Sequence, residues 1–150
     1  MRKSFDFFHY WAHRFFHSHP LIYQWIHKRH HKYHNPSAEN TFFMTPIDLI
    51  LSHCLPLLLT IMIFDTLELK MDQFWFISIN FYLTFLEVGG HMGKKMRPTS
   101  SFAQFIWLPR WFSIQLYTED HHKHHQKLTC NFSKRFSLWD KLFNTYVPSS

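Results

Sequence analysis

Ile47-Asp48-Leu49-Ile50-Leu51-Ser52-His53-Cys54-Leu55-Pro56-Leu57-Leu58-Leu59-Thr60-Ile61-Met62-Ile63-Phe64 is an apolar run of 18 residues in which Asp48 and His53 are the only acidic or basic side chains. A helix that crosses the hydrocarbon core of a bilayer needs about 20 mainly apolar residues, within a range of about 17–25. The run reaches the lower limit. A slightly shorter apolar stretch, Phe74 to Val88, carries Glu87 near its end, and the polar turn Asp65-Thr66-Leu67-Glu68-Leu69-Lys70-Met71-Asp72 joins the two. Together they read as a transmembrane hairpin. A buried helical pair in a soluble all-α domain is the alternative.

The charge lies outside this middle. Arg2, Lys3, Arg14, Lys28, Arg29 and Lys32 precede Pro46, whereas Lys94, Lys95, Arg97, Arg110, Lys123, Lys127, Lys134, Arg135 and Lys141 follow Gly90, and only Lys70 stands between. A hairpin returns the chain to its starting side. The flanks therefore share one compartment, and their lysine and arginine excess marks it as cytosolic by the positive-inside rule. The N-terminus has no uninterrupted apolar segment of the kind a cleavable signal peptide needs. At 150 residues, 46% of them hydrophobic, the chain fits a single domain over 1–150 with enough apolar surface to bury a core. Cys54 and Cys130 form no CxxC pair, which argues against a zinc ribbon or a redox dithiol.

Histidines fill the flanks. Of the 14 in the chain, nine form three clusters and one isolated position: His13 and His17; His27, His30 and His31; His91; His121, His124 and His125. Residues three and four apart share a helix face, and imidazole nitrogens bind first-row metals at about 2.0–2.1 Å. Nine such ligands are too many for one ion. The economical reading is two ions with four or five nitrogens each, His91 completing the set. His19, His34 and His53 read as ordinary surface or core residues. The aromatic residues interleaved with the clusters argue against a disordered metal-storage tract.

The expected elements follow. Residues 5 to 18 read as a helix with His9, His13 and His17 on one stripe and Asp6 in its first turn, ended by Pro20. A second helix spans 21 to 33. Gly89 and Gly90 before His91, with Gly93 after it, are expected to loosen the backbone there, and Glu87, one turn earlier, to orient the His91 ring. The aromatic stretch Phe102 to Tyr117 reads as an interfacial segment beside a lipid pocket. Residues 119 to 126 form a short helix, and Asn131 to Thr145 close the domain. The fold class is all-α: an integral membrane helical domain with one transmembrane hairpin and a cytosolic histidine-rich helical cap.

Imidazole ligation without cysteine suits iron, zinc, copper or nickel. There is no HExxH protease motif, and glutamates are too few for the Glu-x-x-His pairs of soluble di-iron bundles. Two nitrogen-ligated metals at a membrane surface point to oxygen activation on an apolar substrate.

The segments His13-Arg14-Phe15-Phe16-His17, His27-Lys28-Arg29-His30-His31 and His121-His122-Lys123-His124-His125, in that order around a hydrophobic hairpin, resemble the HxxxH, HxxHH and HxxHH boxes of the fatty acid hydroxylase/sterol desaturase superfamily. Asp6 with His9-Tyr10-Trp11, Asn131-Phe132 and Trp139-Asp140-Lys141-Leu142-Phe143-Asn144-Thr145 resemble the family's flanking signatures, so the resemblance covers about residues 6 to 145. It implies a membrane-bound di-iron enzyme, usually of the endoplasmic reticulum with its site facing the cytosol. Such an enzyme uses O2 and electrons from a donor such as cytochrome b5 or its reductase to hydroxylate or desaturate lipids. Sterols are the first substrate expectation and fatty acyl or sphingoid lipids the next.

Carried over by position, the nine clustered histidines are the ligands of two irons, with zinc able to replace iron in isolated protein. His9, Glu87, His122 and Asn131 are expected as supporting residues or extra ligands. His122 and Lys123 stand where many relatives have an acidic residue. The chain also begins almost at the first box, where family members usually carry further hydrophobic helices; a fragment, a reduced homologue and a subunit that needs a partner are the open alternatives, and a complete catalytic core with a minimal anchor is the expectation taken. A non-catalytic metal-binding or regulatory homologue is the alternative function, and the basic ends do not amount to a nucleic-acid binder.

Overall fold

A computed structural model describes residues 2–69, 72–92 and 111–148. All regular secondary structure among these residues is helical. Helix α1 (Arg2–Ser18) presents Phe5, Asp6, His9, Tyr10, His13 and Phe16 to the interior, the i, i+3, i+4, i+7 spacing of a buried stripe. Pro20 both ends this helix, by disfavouring helical backbone at His19, and opens the next. His19 is extended (φ −119°, ψ 106°), and Pro20 is the first residue of α2 (Pro20–Ile22), where its missing N–H is not needed.

The expected regular helix over 21–33 is replaced by a short α turn, one wider turn and one tighter turn. Helix α2 runs directly into a π-helical turn, Tyr23–His27, closed by Lys28 N–H donating to the Tyr23 carbonyl at 2.7 Å. A bend at Lys28 and Arg29 then leads to a 3-10 turn, His30–Lys32. His27, His30 and His31 thus leave the backbone in directions that one straight helix does not provide.

Helix α3 (Pro46–Thr66), 21 residues long, is apolar and long enough to cross a membrane, and only 22% of its apolar window is buried within the protein. Among the described residues it alone meets that test. Such exposure is not that of a soluble core helix. Thr45 caps it by accepting from Asp48 N–H at 3.1 Å, while its own hydroxyl donates to the Ile26 carbonyl at 3.0 Å, joining α3 to the π turn of α2.

Within α3 the backbone widens into a second π turn, Ile50–Cys54. The cause is four residues after Ser52. Pro56 has no N–H for the Ser52 carbonyl, and a proline ring crowds the carbonyl one turn before it. The His9 ring fills the vacancy, with Nδ1 donating to Ser52 O at 2.8 Å. This bond ties α1 to α3.

Helix α4 (Gln73–Gly90) starts at Asp72, whose carboxylate accepts from Trp75 N–H at 2.9 Å. It buries Leu83, Leu86, Glu87 and Gly89 and exposes Phe74, Trp75, Ile77, Phe81 and Phe85. Gly89 and Gly90 do not loosen the chain at His91: the helix continues through Gly90, and His91 N–H and Met92 N–H bond back to Val88 and Gly89 at 3.2 Å, while Gly93 lies outside the described residues. The expected interfacial segment lies, over residues 102–110, outside the described residues.

Helix α5 (Thr118–Lys127) begins where Asp120 accepts from Tyr117 N–H at 2.9 Å, and it ends at Leu128 in the left-handed region (φ 61°). Helix α6 (Leu138–Leu142) follows. The C-terminal segment is fastened to α1 by aromatic contacts. The Tyr10 ring stacks on Phe143 at 5.4 Å, and Trp11 and Phe7 meet Phe143 and Trp139 edge-on at 4.8 and 4.9 Å.

Candidate metal centre

The nine clustered histidines converge from four places in the chain, and they divide in a way their order does not suggest. His13, His17, His27, His31 and His124 bring one nitrogen each within 4.8 Å of one another, as do His30, His91, His121 and His125. Each triplet is split. His27 and His31 face one cluster and His30 the other; His124 faces the first and His121 with His125 the second.

Hydrogen bonds on the outer nitrogens fix which atom faces inward. A carbonyl oxygen only accepts, so a ring nitrogen bonded to it carries the proton. His13 Nδ1 donates to Phe132 O at 2.9 Å, His124 Nδ1 to Cys130 O at 2.7 Å and His91 Nδ1 to Glu87 O at 2.9 Å. His27 Nδ1 donates to the carboxylate of Asp48 at 2.8 Å. In all four rings Nε2 is left as a lone pair. The Nε2 atoms of His13, His17 and His124 are buried with no hydrogen-bond partner, an arrangement that costs about 1–3 kcal/mol per group unless a cation takes the lone pairs.

Spacing supports the same fit. Two nitrogens bound to one ion at about 2.0–2.1 Å stand about 2.9 Å apart at a right angle and about 3.4 Å at the tetrahedral angle. The Nε2 pairs His27–His31, His91–His121, His121–His125 and His30–His91 are 3.1, 3.1, 3.2 and 3.4 Å apart. Burial and then mutual repulsion push His13, His30, His31, His121 and His124 well below the usual histidine range, and the same causes bring His17 and His125 down to about 2. The rings are neutral at physiological pH, the form that binds metal.

The expected supporting residues fare unequally. His9 stands behind His13, ring centroids 5.2 Å apart, outside both clusters. His122 turns away toward Gln126, 2.9 Å distant. Glu87 does orient His91, but through its backbone carbonyl. Its carboxylate instead binds Lys134 Nζ at 2.8 Å and Arg135 Nη2 at 3.2 Å. Asn131, in the left-handed region (φ 57°), donates to Asp120 O and Val147 O and accepts from Val147 N–H, clamping the turn after α5.

Asp6 has left the expected first-turn position, because α1 begins at Arg2. It is buried and accepts backbone N–H groups from Lys134, Arg135 and Phe136 at 2.8–3.1 Å. Burial still raises its carboxyl to about 7 against those bonds. Asp140 accepts Phe132 and Ser133 N–H at 2.8 Å. Two carboxylates therefore hold five consecutive amides, 132–136, and that loop supplies the carbonyls that orient His13 and His124. Asp48 is the functional residue the sequence reading passed over; an acid inside an apolar span is costly unless partnered, which was its available signal.

An all-helical chain with two buried histidine clusters, suited by donor set and spacing to hold metal at the base of an apolar helix, defines the class of protein. The chain belongs to the fatty acid hydroxylase family, whose model matches residues 3–145. It is similar to the fatty acid hydroxylase vlmA of Lecanicillium sp (33% identity, 93% of this chain and 39% of the relative). It also resembles the C-4 methylsterol oxidase erg25 of Schizosaccharomyces pombe (31%, 93% and 43%) and sphinganine C4-monooxygenase 1 of Arabidopsis thaliana (25%, 97% and 52%). The chain thus spans about half or less of these relatives' length. No solved structure matches.

Proposed function

We propose that the chain is the core of a membrane-bound di-iron lipid hydroxylase or desaturase. His13, His17, His27, His31 and His124 would hold one iron and His30, His91, His121 and His125 the other, with zinc able to occupy the same nitrogens. When bound, such a metal pair supplies the reduction of O2 by which an unactivated C–H bond is oxidised. The observation that carries the reading is the set of inward-facing lone pairs, fixed by Asp48 and by the carbonyls of Glu87, Cys130 and Phe132.

The protein's own share is to orient and to exclude water. Outer partners of this kind fix ring direction and raise ligand basicity. Helices α3 and α4 form the hairpin of this reading, and their exposed Ile50, Leu58, Met62, Phe81 and Phe85 suit acyl chains. The clusters sit against Asp48 and His91, near the first turn of α3 and the end of α4, so a lipid would enter from the bilayer. The relatives act, by name, on fatty acid, methylsterol and sphinganine, which supports a lipid substrate, with a sterol first and fatty acyl or sphingoid lipids next. The electron donor is one such as cytochrome b5 or its reductase, and the site faces the cytosol at the endoplasmic reticulum.

Expression in a host without its own sterol and fatty acid hydroxylases tests this. Detergent-purified protein is expected to carry two irons per chain, and the host's lipids to show a hydroxylated or desaturated product lost on His13→Ala or His124→Ala. Retained metal with unchanged lipids would make the chain a non-catalytic homologue; absence of both iron and zinc would defeat the metal assignment.

A further inference from the structure

Beside the histidine clusters lies a second buried assembly for which the ligand set has no use. Lys134 Nζ donates to Glu87 Oε1 at 2.8 Å and to His53 Nε2, and Arg135 Nη2 donates to Glu87 Oε2 at 3.2 Å and to the Leu83 carbonyl at 3.0 Å. Arg135 pairs with Glu87 Oε2 and the Leu83 carbonyl. Lys134 is different: an ammonium has three N–H donors, and two have protein partners among the described residues.

The third has somewhere to go. Two small cavities, each with room for about one water, border Lys134. One is shared with His91 and His121, the other with His13, His27 and His30. Lys134 also meets His53, whose side chain is 20% exposed against 7% for Lys134. His53 lines the second cavity itself but not the first, so at the first cavity a part-exposed imidazole, a buried ammonium and a small space against His91 and His121 are in series.

We propose that Lys134 supplies protons to oxygen reduced at the histidine clusters, through one water in the adjoining cavity, and that His53 restores them from solvent. The inference rests on the oxygenase reading above. Hydroxylation, RH + O2 + 2e⁻ + 2H⁺ → ROH + H2O, breaks the O–O bond, inserts one oxygen into C–H and releases the other as water. The external donor provides the electrons. The protons must cross the same dry shell that excludes solvent. Each passes from Lys134 Nζ, leaving its electron pair on nitrogen; His53 then takes a proton at Nε2 from water and returns it to Nζ. Glu87 holds the ammonium in line, and burial, offset by Glu87, brings the Lys134 amine down to about 8, close to the ideal for a donor near neutral pH.

The test compares wild type with Lys134→Met and Lys134→Gln, both of which keep a buried stem and leave Glu87 paired with Arg135. Both are expected to bind wild-type iron, to keep the wild-type KM and to lose at least about tenfold in kcat. The wild-type fall in rate above about pH 8 should vanish in the variants. Lys134→Ala should regain rate with added ethylamine. On the zinc form, NMR of the dimethylated protein should place the Lys134 amine below the ordinary lysines. Variants with wild-type kcat and an unchanged alkaline limb, or a Lys134 amine titrating with surface lysines, overturn the proposal alone. A wild type that takes up no O2 with a reductant overturns the oxygenase reading and this inference with it. Loss of iron in both variants would make Lys134 structural and overturn it too.

Discussion

Asp48 sets His27 apart from every other clustered ring. Three outer nitrogens are held by neutral carbonyls, whereas His27 is held by a carboxylate that is itself 1% exposed. A charged acceptor raises the basicity of the ring more than a carbonyl does. Asp48→Asn is therefore expected to weaken metal binding about 10–100-fold, and Asp48→Glu to recover part of it, measured by competition with a chelator of known affinity; equal affinities in all three forms would refute the role. The rings also carry a pH signature. Histidines held below 6.5 in the fold bind fewer protons folded than unfolded, so stability is full above 6.5 and falls as pH drops through it. Each such ring contributes about 1.4 kcal/mol per pH unit. The five named here would remove about 7 kcal/mol per unit, against a total of about 5–15. Metal-free protein should lose its cooperative thermal transition within about one pH unit below 6.5, and a Tm flat from pH 7.5 to 5.5 would contradict this.

At the scale of elements, the loop over 130–137 does what a regular helix cannot. Asp6 and Asp140 take its amides, which leaves the Cys130 and Phe132 carbonyls free to face His124 and His13. Asp140→Ala strands two buried N–H groups at about 1–3 kcal/mol each. The expected loss is about 2–6 kcal/mol in chemical denaturation, together with reduced metal content, because both carbonyl supports move; a destabilised variant with full metal would separate the two roles. These supports were illegible in the sequence for a physical reason. Asp6 meets residues 128 to 130 positions away, and a backbone carbonyl acting as partner has no letter of its own. Histidine spacing was legible because metal ligation demands one residue type at short range. The π turns were not: the first has no breaker inside it, and the second answers to Pro56, which the hydropathy of α3 masks.

For the whole molecule, the order of histidines along the chain suggested two ions but not how the ligands divide. That depends on three-dimensional convergence of α1, the α2 turns, the end of α4 and α5. The five-nitrogen cluster has the Asp48 carboxylate behind it; Lys134 lines a cavity beside each cluster, whereas the cationic Arg135 lines, of these two cavities, the one at the four-nitrogen cluster. A nearby positive charge disfavours a cation. Graded chelation is expected to pass through a species with one ion per chain, and His125→Ala should leave that ion bound more firmly than His31→Ala does; simultaneous loss of both ions under every condition would count against the inequality.

The split triplets carry a consequence for distance. His30 and His31 are consecutive residues aimed at different clusters, as are His124 and His125. The gap between the two centres is therefore gauged by single backbone steps in two short helical turns, a rigid pair of callipers. Moving one jaw means breaking a turn, so the span between the jaws of this chain is set by its backbone and not by what occupies the site.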